Sequence, residues 1–235
     1  MTDWGQLQRK FAAQSTPALP SSRRLRQLIL WAIQEGALPP GSRLKEVELV
    51  KALEVSRTPL REALTALRAE QILEMDDDGL RVRKLEWRDV TSLYALRGQL
   101  EAMAAALATT HATSSEKQVI ADICTEEVRL MSVGAAPALL ATHNKRFHNA
   151  ILQAAGNRFL SESLHHLSRL MVLLGHTAYA LPERSHAIQK EHQEINQAIQ
   201  RGHAQQAETA MKYHLDQALK ARLHLLSLTE EDEMD

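Results

Sequence analysis

The sequence predicts a mainly α protein in two parts. These are an N-terminal winged helix-turn-helix with a two-stranded wing (residues 21–86) and an all-α C-terminal bundle of about six helices (residues 87–228). Three observations predict it. Apolar residues recur at helical spacing along most of the chain. Strand signals are confined to Ile72–Met75 and Leu80–Arg83, on either side of Asp76-Asp77-Asp78-Gly79. After Leu85 those signals stop, and helical periodicity runs from about Trp87 to Leu228.

Residues 1–20 end in the polar, proline-containing stretch Gln14 to Pro20 and read as a flexible N-terminal arm. A helix follows with Leu25, Leu28, Ile29, Ala32 and Ile33 on one face, and the stretch Gly36 to Gly41 breaks it. A second helix is expected from about Lys45 to Leu53. A third begins at Arg57 or Thr58 and ends near Ala69, with Leu60, Ala63, Leu64 and Leu67 as its buried stripe. Pro59 is tolerated just inside that start, because its missing N–H would have no intrahelical partner. Ser56 and Thr58 are candidates both for capping the helix and for touching phosphate. Gly79 supplies the backbone freedom that the wing turn needs. In the helical half, breaks are expected near His111 to Ser115, Val133 to Ala136, Gly156-Asn157, Leu181-Pro182 and Gly202, with Ser115 and Asn157 as N-caps. Residues 229–235 carry five acids and read as an acidic, solvated tail.

The chain has 235 residues, enough for one large domain or two small ones. Aromatic residues make up only 4%, so the core must be built from Leu and Ala. The formal net charge is −1, and residues 21–84 hold twelve Lys/Arg against ten Asp/Glu. Any attraction for nucleic acid must therefore be local: Arg23, Arg24 and Arg26, the arginines of the third helix, and Arg81, Arg83 and Lys84. Cys124 is alone, which excludes an internal disulfide and suggests a small core residue. No signal-peptide pattern and no apolar run near eighteen residues is seen, so a cytoplasmic protein without a membrane partner is expected.

Arg57, Arg61, Thr65 and Arg68 lie opposite the apolar stripe of the third helix, where base edges and phosphates can be reached. With a wing behind them, they describe a protein that reads double-stranded DNA. The contact set anticipated is Arg57, Arg61, Ser56, Thr58, Arg43, Lys45 and Arg81. The segments Pro40-Gly41-Ser42-Arg43-Leu44-Lys45-Glu46, Val55-Ser56-Arg57-Thr58-Pro59-Leu60-Arg61-Glu62-Ala63-Leu64 and Ile72-Leu73 resemble, in sequence and order, the GntR superfamily of bacterial transcription regulators.

The second half offers Arg97 and Glu101, Asn144 and His148, Gly156-Asn157, Glu191-His192 and His214, in that order. This series is similar to the FCD ligand-binding domain of the FadR-like branch. The resemblance implies a homodimer on a palindromic operator and a small carboxylate effector. It also implies a divalent transition metal (zinc, nickel, iron or manganese) on Asn144, His148, His192 and His214. Arg97 can clamp an effector carboxylate or pair with Glu101 four residues on. The role implied is a ligand-responsive repressor. Alternatives are the same regulator with a metal-free pocket, and a metal-dependent hydrolase. The hydrolase lacks a HExxH or GxSxG motif and leaves the winged helix unused.

The chain departs from the family pattern in three places. Asn144 stands where relatives have aspartate, which removes a negative charge from the ligand set. Asp76 to Asp78 at the wing tip repel phosphate. Val47 replaces an arginine that touches DNA in many relatives.

Overall fold

The computed structural model describes residues 3–14, 21–175 and 178–232. They form two compact units. Residues 1–86 with 168–176 make the first, and residues 87–167 with 177–235 make the second.

In the first unit, helices α1 (Trp4–Gln14), α2 (Ser21–Gln34), α3 (Glu46–Leu53) and α4 (Arg57–Ala69) precede strands β1 (Leu73–Asp76) and β2 (Gly79–Val82). The apolar stripes expected for α2 and α4 are the residues these helices bury: Leu25, Leu28, Ile29, Ala32 and Ile33, then Leu60, Ala63, Leu64 and Leu67. The two helices pack on one another through them. Glu54 closes α3 in the left-handed region (φ 53°), which turns the chain sharply into α4.

Strands β1 and β2 pair antiparallel, Leu73 opposite Val82 and Asp76 opposite Gly79, with Gly79 at φ 118° as the turn requires. A third segment completes the wing. The amide of Gly41 donates to the Val82 carbonyl (2.8 Å), that of Leu44 donates to the Leu80 carbonyl (2.8 Å), and Arg43 bridges Arg81. The loop ahead of α3 is thereby tied to the wing.

One expectation fails here. Residues 1–20 were to be a flexible arm, yet Trp4–Gln14 is helical and buries Leu7 and Phe11. These apolar residues lie four apart, on one face of a helix. Phe11 packs against Trp31 of α2 (ring centroids 6.0 Å apart), and the Gln8 amide donates to the Leu53 carbonyl (3.1 Å). The polar Gln14–Pro20 stretch gave no account of the eleven residues before it; residues 15–20 lie outside the described residues.

The second unit contains α5 (Trp87–His111), α6 (Ser114–Ser132), α7 (Pro137–Ala154), α8 (Arg158–Leu170), α9 (Pro182–Arg201) and α10 (Ala204–Asp232), with a 3-10 turn over Ala178–Ala180. The last residues of α8 and the 3-10 turn Met171–Leu174 group with the first unit. Helix α10 packs along α5, and α6 packs against α7 and α9. Alanines 102, 104, 105 and 108 are almost wholly buried on α5, and small side chains there let neighbouring backbones approach closely. Asn157 caps α8, accepting from the amides of Phe159 and Leu160 (3.1 Å each). The cap of α6 is Thr113, not Ser115: Thr113 and Glu116 form a reciprocal capping box. Helix α10 continues to Asp232, so the segment read as an acidic tail is helical over its described part. Among the described residues, no helix is long and apolar enough to cross a membrane.

Candidate functional site

Two arrangements stand out, one in each unit. The first is the exposed face of α4 with the neighbouring wing. Ser56 occupies the N-cap position, makes no side-chain cap bond and is exposed. Arg57, Thr58, Arg61, Thr65 and Arg68 are all exposed. Arg61 Nε donates to both carboxylate oxygens of Glu46 (2.8 and 3.0 Å). Arg43 pairs with Asp78, and Lys45 Nζ with Glu48 (2.9 Å). Arg81 meets Glu74 (2.9 Å) and Asp76 (2.8 Å). Arg57 makes no ion pair among the described residues.

The second arrangement lies within the helical unit. His148 of α7, His192 of α9 and His214 of α10 converge, each offering a ring nitrogen, with these atoms within 4.8 Å of one another. His148 Nε2 and His214 Nε2 are 3.3 Å apart. Each ring is held from behind by a different carboxylate. His148 Nδ1 bonds Glu101 of α5, His192 Nδ1 bonds Glu127 of α6 (2.9 and 3.1 Å), and His214 Nδ1 bonds Glu191 of α9 (2.6 Å). An ionised carboxylate can only accept, so Nδ1 carries the proton and Nε2 presents its lone pair to the centre.

The electrostatics keep that tautomer in place. Burial alone would raise the Glu101 carboxyl, but Arg97 and His148 bring it down to about 2. Glu127 is likewise lowered, its burial overcome by the hydrogen bond from His192. Burial pushes Glu191 upward, and Arg184 opposes this with bonds of 2.5 and 2.8 Å to its two oxygens. Burial lowers His192. It lowers His214 well below the ordinary imidazole range, with the neighbouring imidazoles adding to the effect. Both rings are therefore neutral, as metal ligation requires.

The donor set fits a divalent cation. Two lone pairs facing each other at 3.3 Å repel unless something positive lies between them. Bonds of ~2.0–2.1 Å from nitrogen to zinc give a tetrahedral edge of about 3.4 Å, close to that spacing. His192 Nε2 is buried with no hydrogen-bond partner among the described residues, a cost that a bound ion would remove. Three neutral imidazoles suit a transition metal better than a hard oxygen-seeking cation.

Asn144 stands one helical turn before His148, half-buried, with its Oδ1 3.5 Å from the Tyr179 hydroxyl. That hydroxyl also donates to Glu127 (3.0 Å), and burial together with Glu127 pushes its pKa up, so it keeps its proton. Arg97 donates to Glu101 (2.5 Å) and lies over the Tyr94 ring, 5.7 Å from its centroid. The ion pair with Glu101, one of the two uses expected for Arg97, is made through Nε.

Sequence reading missed Glu127, Tyr179 and Arg184. The first had a signal. Glu127 falls in register with Ile120, Ile123, Cys124 and Leu130, a carboxylate inside a buried stripe. Cys124 is itself buried, its Sγ 3.8 Å from the His192 carbonyl, and burial pushes its thiol up to about 12. His143, five residues before His148 on α7, instead donates to the Ile123 carbonyl (2.8 Å).

A winged helix with an exposed arginine-bearing helix, joined in one chain to a helical domain, is the layout of a transcription regulator. Residues 21–79 match the gntR family of bacterial regulatory proteins, and residues 92–217, over half the chain, match the FCD domain. The chain belongs to the GntR family and carries an FCD effector-binding domain.

Among its relatives, the transcriptional regulator LutR of Bacillus subtilis is 30% identical over 205 residues, spanning 78% of this chain and 92% of LutR. A probable D-xylose utilization operon transcriptional repressor of Paenarthrobacter nicotinovorans is 29% identical, covering 86% of this chain and 88% of that protein. The solved structure of Escherichia coli McbR/YncC shares the fold, with a TM-score of 0.73 at 20% identity over 88% of this chain and 99% of that one.

Proposed function

We propose that this regulator is a repressor that binds a palindromic operator as a homodimer and senses a small carboxylate at a metal held by His148, His192 and His214, with Asn144 as an oxygen ligand. The observation that carries this reading is the convergence of three imidazole Nε2 atoms, each ring oriented by its own buried carboxylate. Side chains are seldom arranged so at the expense of an unpartnered buried nitrogen unless something is bound there. A divalent ion there would supply a Lewis acid with open positions for carboxylate oxygens.

The protein's own residues set the geometry. Glu101, Glu127 and Glu191 fix the tautomer and direction of the three rings. Arg97 and Arg184 hold two of those carboxylates, and Tyr179 holds the third. Arg97 braces Glu101 and through it His148, and it is also the residue proposed to clamp the effector carboxylate. On the DNA side, Arg57 and Arg61 read base edges in the major groove, while Ser56, Thr58, Arg43, Lys45 and Arg81 address the backbone. Repression is supported by the name of the xylose relative. Effector control then requires unequal effector affinity for the DNA-binding and released arrangements.

Elemental analysis of tag-free protein tests the centre. About one zinc, nickel, iron or manganese per chain is expected, falling to almost none in His192→Ala, because three-nitrogen ligation cannot survive loss of its most buried donor. Wild-type protein that stays metal-free after incubation with each ion would refute the metal reading and leave an organic pocket.

A further inference from the structure

Five cationic side chains were expected to meet DNA, and four of them are already paired with carboxylates of the same unit. Arg61 is on Glu46, Arg43 on Asp78, Lys45 on Glu48, and Arg81 on Glu74 and Asp76. Only Arg57 is without an acidic partner among the described residues. The pairing is not uniform in kind. Glu46 grips Arg61 by Nε alone, and among the described residues the terminal nitrogens of Arg61 have no bond, so its two-pronged end is aimed and free for a guanine edge. Arg43 and Arg81 are cross-strand neighbours on the wing. Each would repel the other if Asp78 and Asp76 were not there.

We propose that Glu46, Asp76 and Asp78 are specificity-determining residues that suppress binding to DNA of the wrong sequence. This rests on the DNA-binding reading above. Affinity for arbitrary DNA comes almost wholly from cations replacing counterions on phosphates. Here each phosphate contact by Arg43 or Arg81 must first displace an aspartate, which is then left uncompensated against a polyanion. Sequence-independent affinity is therefore reduced. Base reading by Arg57 and Arg61 is spared, because Arg57 has no acid to leave and Arg61 keeps Glu46 on its Nε while its fork engages a base. The acids thus raise the ratio of specific to non-specific binding, which matters more in a genome than affinity alone. They also explain how 21–84 serves as a DNA-binding unit with a charge excess of only two.

The test uses the full-length protein, a random-sequence 30-base-pair duplex and a duplex enriched from a random library by the wild type. Asp76→Asn/Asp78→Asn keeps the side-chain oxygen at position 76 that accepts the Asp78 amide, so the turn is retained. Two exposed pairs of this kind each change an equilibrium by up to about fivefold. The double variant is therefore expected to bind the random duplex about tenfold more tightly. Its salt slope should steepen by about one, for Arg43, because Arg81 keeps Glu74. The enriched duplex should gain less. Glu46→Gln should lose discrimination between the two duplexes.

Glu126→Gln/Glu208→Gln, an equal charge change in exposed pairs of the helical unit, should leave random-duplex affinity unchanged. An equal gain in this control, or no gain in the wing variant, would overturn the inference while the DNA-binding reading stands. Failure of the wild type to enrich any sequence would overturn both.

Discussion

Arginine–carboxylate pairs are used in both units of this chain, and their burial differs sharply. The Arg97 and Glu101 side chains are 12% and 8% exposed, whereas those of Arg43 and Asp78 are 54% and 62% exposed. Around the three imidazoles the charges have left water, so Arg97 and Glu101 must keep one another, and the pair becomes a fixed support for His148. At the wing tip water competes for Arg43 and Asp78, so such a pair can exchange its carboxylate for a phosphate at little cost. The same chemistry is scaffold in one place and switchable contact in the other. Burial decides which.

The largest break in this contrast comes from Glu101→Ala. It strands Arg97 and leaves His148 Nδ1 without an acceptor, and it should cost about 3–5 kcal/mol by urea unfolding. Asp78→Ala in the same assay should cost under about 1 kcal/mol. Equal losses would erase the distinction. Next is Leu60→Ala, at a fully buried site on the inner face of α4, with an expected loss of about 2–5 kcal/mol from transfer and cavity terms. Calorimetry of the variant checks it.

Arg57→Ala should then weaken the enriched duplex by about 1–3 kcal/mol and relax preference at one base position. Lys45→Ala should instead weaken all duplexes alike and flatten the salt slope by about one. Fluorescence anisotropy across salt concentrations separates the two. Smallest is Thr113→Ala, which removes the capping box of α6 and should lower stability by about 1 kcal/mol. Ser115→Ala, at the second helical position, should change it far less.

Much of this was legible in the residues themselves. The stripes of α2 and α4 recur at 3.6-residue spacing, and burial follows that period whatever the partner. The series Asn144, His148, His192 and His214 was readable in order, although nothing in a linear chain says that three helices bring imidazoles within 4.8 Å. Helix α1 was obscured because its two apolar anchors are followed by a polar, proline-containing stretch. The cap of α6 was misplaced by two residues, since threonine and serine share the same capping chemistry and only backbone geometry selects between Thr113 and Ser115.

Local pattern by itself determined α2, α3, α4 and the wing, because periodicity, glycine and proline act over a few residues. Only the tertiary structure decided which acid meets which base. Glu127 meets His192 across 65 residues and Arg43 meets Asp78 across 35, and partner choice at such separations depends on packing that no local spacing encodes. It also decided which of those pairs are shielded from water, and hence which of them hold a site in place and which can be traded for DNA.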